Sequence, residues 1–397
     1  MDYRNRRLDY PDLYLPGEKF AQVEHELEKD GIGGRIYKID ELTNFAVNPA
    51  AARAQWAQAT GWAILNGCRM LGVNSPIYFC VLRSNVRNAM AIGFEDWSCI
   101  VVSDGLAAQM FFLISELSFS QYFVEYRSEH TKFQSAFKYP LMPRSVTMKH
   151  LAESRSNNNT QGALIKTLTW VGVNFIANHE LAHIVNGHLG SGLVGSMLTE
   201  DRQVAEPDEL QINRTIEYDA DSLGIQLTLH YFLDWVGRAG ESTEFLKGEL
   251  DLVHTIFAGV DMAMCAIEAI QHYPLEDFHS YTHPPAIFRL WGVSSVVQNA
   301  CRLLRARGLF SLSDSIIYDA LDHVTRAIEW AIADRAQVAP DPETLVKAAS
   351  LYGGHDAELH KCWARIRPGL EKQKLGHHKL AAAQYDLDGR PIGGNTS

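Results

Sequence analysis

Residues 162 to 185, "GALIKTLTWVGVNFIANHELAHIV", constrain this chain more than any other stretch. Leu164, Ile165, Leu168, Trp170, Val171, Val173, Phe175 and Ile176 fall on nearly every side of a 3.6-residue helix. A helix that is apolar all round has no solvent face, so the other elements must be built around it. With 397 residues, 46% of them hydrophobic, the chain has the material to do so. Burial also changes the meaning of the polar residues at the end of this helix, His179, Glu180, His183 and His188.

His179 and His183 are four apart, hence one turn apart on one face, and both imidazoles can reach a single cation. Glu180, rotated by about 100°, can stand beside a water on that cation and take its proton. His188 is nine residues after His179; on a continuing helix that is the opposite side, so it is expected to pack or cap rather than ligate. Asn186 and Leu189 occupy the places where a metzincin has Gly and His, which excludes that class by spacing.

The third ligand is sought in "INRTIEYDADSLGIQL" (212 to 227), also helical in pattern. Glu217 and Asp221 are four apart, and Ala220 and Gly224 allow another helix to come close. An acidic pair on a face built for tight packing needs a positive partner, and a zinc ion held by His179 and His183 supplies one. Glu217 is then the third ligand, and Asp221 accepts the free N–H of a ligand histidine or pairs with an arginine. The competing reading is an exposed face on which Arg214 pairs with nearby carboxylates.

Around these helices the chain reads as α+β and mostly α: a small antiparallel sheet on a zincin-type helical core, with additional C-terminal helices. Residues 1–75 form an N-terminal arm and a helix, and residues 308–372 a helical region. Residues 373–397 lack periodicity and are expected to be disordered. Runs 76–83, 88–94 and 98–104 are the strands. Segments 128–160 and 189–207 are loops placed to act as lids or substrate contacts.

The net charge of −11 argues against nucleic acid or an anionic membrane as partner. The start has no apolar signal core, and the apolar window at 254–270 carries Asp261 and Glu268, so no membrane span is expected. Six cysteines without CxxC spacing read as reduced thiols, which points to the cytoplasm.

"HELAHIVNGH" followed by "EYDADSLGIQL" resembles the HtpX and CAAX prenyl protease family of gluzincin metallopeptidases, with its HExxH and later ExxxD. "NVRNAMAIGFEDWSCIVVSDGL" (85–106) and "YTHPPAIFRL" (281–290) are similar to two further elements of that family. The resemblance covers about residues 76 to 290 and implies a zinc metallopeptidase catalytic domain over 76–307. It implies His179 and His183 as zinc ligands, Glu180 as the catalytic glutamate, Glu217 as third ligand and Asp221 as its supporting partner. His283 matches a histidine that lies over the metal and either stabilises the oxyanion, alone or with Tyr281, or occupies the open zinc position. Arg289 matches an arginine that ties this element to the core.

The gap from His179 to Glu217 is short for that family, and many relatives are integral membrane proteins. A soluble protein or peptide is therefore the expected substrate. Its docking edge is the strand Asn88, Ala89, Met90, Ala91 and Ile92, to which an extended chain can add hydrogen bonds. Two other functions stay open: a phage-exclusion-type metallopeptidase that cleaves a host protein, and a zinc-stabilised scaffold without catalysis. Retention of Glu180 counts against the scaffold.

Overall fold

The computed structural model describes residues 13–38, 41, 50–86, 88–118, 160–189, 207–239, 246, 248–268, 275–335 and 342–382. Its four strands are β1 (Arg35–Ile36), β2 (Ile77–Arg83), β3 (Ala89–Gly93) and β4 (Ser98–Ser103), in the order β1-β2-β4-β3. β3 and β4 form an antiparallel hairpin closed by Phe94 N–H donating to Trp97 O (2.8 Å), with the two rings stacked. The sheet is mixed rather than antiparallel as expected, because β2 and β4 run parallel, with Phe79 opposite Ile100. The cause is burial. Ile100, Val101 and Val102 have no exposed surface, and such a run takes an inner position with a partner on each side. The chain therefore passes from β2 to the edge, forms β3, and returns inward as β4.

Strand alternation divides the sheet between two environments. Phe79, Val81, Ala89, Ala91, Ile100 and Val102 face the main helical core. Cys80, Leu82, Met90, Ile92, Cys99 and Val101 face the other way and pack with Val23 and Leu27. Those two belong to α1 (Phe20–Lys29), a helix within the segment expected to be a polar arm. It closes the sheet's second face.

The helical part comprises α2 (Ala50–Leu71), α3 (Asp104–Ser118), α4 (Thr160–Val185), α5 (Pro207–Ala239), α6 (Glu249–Glu268), α7 (Ala286–Ala306), α8 (Asp314–Arg335) and α9 (Pro342–Gln373). The fold is thus α+β and mostly α. α4 is the central helix, packed against α2, α3, α5, α6, β3 and β4, as its apolar circumference requires. Its crossing with α6 is close: a Cβ on Gly172 would stand 2.8 Å from Gly259 O and 2.4 Å from Met110 Cε. α6 is long and apolar enough to cross a membrane over Glu249–Ile267, and 67% of that window is buried inside the protein.

Two expectations for the outer segments resolve differently. The loops 128–160 and 189–207 lie, apart from their end residues, outside the described residues. Of the tail expected to be disordered, residues 373–382 are described, and they are anchored to the fold at several points. Leu375 N–H donates to Val185 O (2.7 Å) and His377 N–H to Leu71 O (2.8 Å), while Leu380 is buried beside Ile216 and Trp363. Leu375 and Leu380 are apolar anchors too widely spaced to register as periodicity.

Candidate metal centre

Two helices bring the polar residues together. α4 carries His179, Glu180 and His183; α5 carries Glu217, Asp219 and Asp221. They meet closely because α5 presents Gly224 to the backbone of His179: a Cβ there would lie 3.0 Å from His179 N and 3.1 Å from its Cα. The small-residue face read in the sequence is the face in contact.

Nε2 of His179 lies 3.0 Å from Nε2 of His183, and these atoms lie 3.2 and 3.3 Å from Oε2 and Oε1 of Glu217. All three side chains are buried, and together they could hold a metal ion. Ligand atoms around a tetrahedral ion at about 2.0–2.1 Å stand about 3.3 Å apart, which is the spacing seen here. Glu217 Oε2 is buried and accepts no hydrogen bond, although nitrogens of His179, His283 and Arg289 surround it at 3.2, 3.2 and 3.8 Å. A lone pair left free among nitrogen atoms is what a shared cation would satisfy.

The electrostatics suit a cation. Burial opposes charging of Glu217, but His283, His183 and His179 outweigh it and hold its carboxyl well below the usual carboxylate range. Burial likewise opposes a charged His179, yet the Asp221 and Glu217 carboxylates raise its pKa to about 10. Burial pushes His183 down to about 3, keeping that imidazole neutral with a lone pair available for coordination.

Asp221, expected to support a ligand histidine, lies beside His179, its Oδ1 2.9 Å from His179 Nδ1. It also pairs with Arg289 through two hydrogen bonds of 2.7 and 2.8 Å. Arg289 leads α7 back onto the site. Such a carboxylate fixes the ring orientation and leaves Nε2 free to ligate.

Glu180 and His283 open on the same small cavity as the three ligand side chains, together with Ala89, Phe175 and Arg289. Tyr281 is not among the residues lining it. Of the expected docking strand, only Ala89 lines the cavity, and Ala91 turns into the main core. Met90 and Ile92 face α1 instead, as period-2 alternation dictates. Asn88 lies just before β3, its N–H donating to Ser103 Oγ (3.2 Å) and its O accepting from Ser103 N–H (3.0 Å). β3 has no strand on its outer side among the described residues.

Several residues at the site were not legible beforehand. Arg214 Nη1 donates to the carbonyls of His279 and Tyr281 (2.8 and 3.0 Å), clamping the segment that carries His283. His188 does not sit across the helix from His179. α4 stops at Val185, Gly187 adopts φ +80°, and His188 N–H bonds back to His183 O (3.0 Å). Its ring thereby comes behind His183, with Nδ1 2.9 Å from Nδ1. The signal for this was the glycine one residue earlier, which favours a left-handed helix end.

No protein-family model, curated protein or solved structure matches this chain.

Proposed function

We propose that this chain is a zinc-dependent endopeptidase of the HtpX-like gluzincin type, acting on a soluble protein or peptide. The observation that carries the reading is one small cavity lined by a two-histidine, one-glutamate ligand set and a separate carboxylate, Glu180. Two imidazoles and a carboxylate are the donor set of catalytic zinc sites, which keep one position open. When bound there, zinc supplies Lewis acidity and lowers the pKa of a coordinated water towards neutrality.

The chain's own residues divide the remaining work. Glu180 takes the proton of the attacking water and passes it to the leaving amine. His283, held by the Arg214 clamp, donates to the oxyanion as it develops. Asp221 and Arg289 keep His179 in register. The outer side of β3, which pairs with no strand among the described residues, receives an extended substrate by strand addition, with Ala89 nearest the scissile bond. A cytoplasmic setting is favoured by six cysteines that are all free.

One observation favours the scaffold reading: His283 Nε2, 3.2 Å from Glu217 Oε2, stands where it can close the fourth position, and closed sites are structural. Glu180 on the same cavity argues for catalysis, since a closed site has no use for a base. The test is a mixed peptide library incubated with zinc-loaded protein and read by mass spectrometry. Wild type is expected to cleave, and Glu180→Gln to be slower by about 10²–10⁴-fold. Equal silence from both, zinc being bound and His283→Ala giving no activity either, would overturn the protease reading.

A further inference from the structure

Behind the ligand His183 runs a line of buried polar groups that the proposed chemistry does not use. His183 Nδ1 is 2.9 Å from His188 Nδ1, and His188 Nε2 is 3.1 Å from Asp219 Oδ2. Asn186 Nδ2 donates to the same Asp219 oxygen (2.5 Å), and Asn186 Oδ1 is 2.8 Å from His378 Nε2. His183, His188, Asn186 and Asp219 are all buried.

The proton positions follow from ligation. A neutral His183 that coordinates through Nε2 carries its proton on Nδ1 and must donate it to His188. His188 then accepts at Nδ1, carries its own proton on Nε2, and donates to Asp219. From the other side His378 Nε2–H donates to Asn186 Oδ1, and the Asn186 amide donates to Asp219. Every hydrogen bond in the line has one possible direction, and both arms converge on the Asp219 carboxylate.

The second arm comes from far along the chain. Residues 374 to 378 dock against the C-terminal ends of two helices, Leu375 N–H donating to Val185 O at the end of α4 and His377 N–H to Leu71 O at the end of α2. The fit is tight at Gly187, where a Cβ would meet the backbone of Gln373 and Lys374 at 2.8 and 2.9 Å. The segment after α9 thus covers the relay and supplies its last member.

We propose that His188 and Asp219 are positioning residues for the metal ligand His183, and that the segment around His378 is a working part of the metal centre. This rests on the metal-site reading above. His179 is oriented by Asp221 and Arg289; His183 is oriented by His188 and Asp219, so each ligand imidazole has its own carboxylate. The first carboxylate touches its histidine directly, and the second acts through an intervening imidazole. Partners of this kind raise ligand basicity and hold the ring in one tautomer.

The experiment measures zinc affinity of the full chain by competition with a chromophoric chelator, with circular dichroism checking the fold of each variant. Asp219→Asn keeps shape and removes the charge; His188→Gln breaks the line one bond nearer the metal. Each is expected to weaken zinc binding by about 10- to 100-fold with the fold intact. The double variant should be no weaker than the worse single one, because one line can be broken only once. His378→Ala, at the outer end, should weaken binding in the same direction and by less. If Asp219→Asn misfolds, His188→Gln and His378→Ala still decide the matter. Wild-type affinity in all folded variants, or additive losses in the double variant, would overturn the relay while leaving the metal site standing. Absence of zinc binding by wild type would sink both readings together.

Discussion

Arg289 grips Asp221 with two parallel hydrogen bonds, Nε to Oδ2 at 2.8 Å and Nη2 to Oδ1 at 2.7 Å, and the same Asp221 oxygen that Nη2 reaches is 2.9 Å from His179 Nδ1. One carboxylate therefore joins three helices: α4 through His179, α5 on which it sits, and α7 through Arg289. Both members of the pair are buried. Removing one member of such a pair costs far more than the pair contributes, because the other charge is left in a dry site.

Asp221→Ala is accordingly expected to lower stability by about 3–5 kcal/mol, measured by urea unfolding of metal-free protein. Arg289→Lys should also be costly, since an ammonium cannot reproduce the two-pronged geometry. A loss for Asp221→Ala no larger than that of a surface substitution would show that the pair does not knit the helices.

Glu217→Ala is expected to abolish stoichiometric zinc binding. Metal analysis after dialysis checks this directly, and a second measurement supports it. Chelation should lower the melting temperature of wild type, because an ion bound only to the native state stabilises it by mass action. The Glu217→Ala melting temperature should not respond to chelator.

Two glycine substitutions are expected to have opposite signs. Gly353 lies on the exposed face of α9, where a Cβ meets nothing within 4 Å, so Gly353→Ala should stabilise by about 0.5–1 kcal/mol through backbone entropy. At Gly224 the added methyl meets His179 backbone at 3.0 and 3.1 Å, and backbone cannot swing aside. Overpacking costs about 1–3 kcal/mol and outweighs the helical gain. Gly224→Ala should also weaken zinc binding, since the same contact spaces Glu217 from His179. Thermal denaturation and chelator competition on both variants check the contrast.

His355 predicts a pH dependence away from the candidate metal centre. It is buried against Phe278 and Phe288, and its Nε2 has no hydrogen-bond partner. Burial first, then the nearby Arg214 and His279, push its pKa from the ordinary 6.5 down to about 3. Between those values the unfolded chain binds a proton that the folded one refuses. The contribution of His355 to stability is therefore intact above about pH 6.5 and is lost as pH falls towards 3. His355→Phe keeps the ring contacts and removes the proton site. Its urea midpoint should fall less than that of wild type between neutral and mildly acidic pH; parallel curves would refute the assignment.

Much of the site was legible because its spacing is local. His179 and His183 share a face by helical geometry alone, and Glu180 stands beside them for the same reason. Glu217 and Asp221 could be paired with them because acidic residues on a small-residue face need a positive partner. The strands were legible as three alternating runs. Their pairing was not, because alternation marks which residues turn inward and says nothing of which strand takes the middle.

What the sequence determined by itself was a central buried helix, since no arrangement leaves a uniformly apolar surface in water. It also determined that polar groups on that helix need partners. Tertiary structure decided who those partners are. His188 comes behind His183 only because the chain reverses at Gly187. Arg214 points at two backbone carbonyls that no side-chain pattern records. His378 reaches Asn186 across 192 positions of sequence. Hydrogen bonds are short and directional, so a partner is chosen by where the packed helices bring it. Hydrophobic burial is neither, which is why the core could be read from the letters and the network around the candidate metal centre could not.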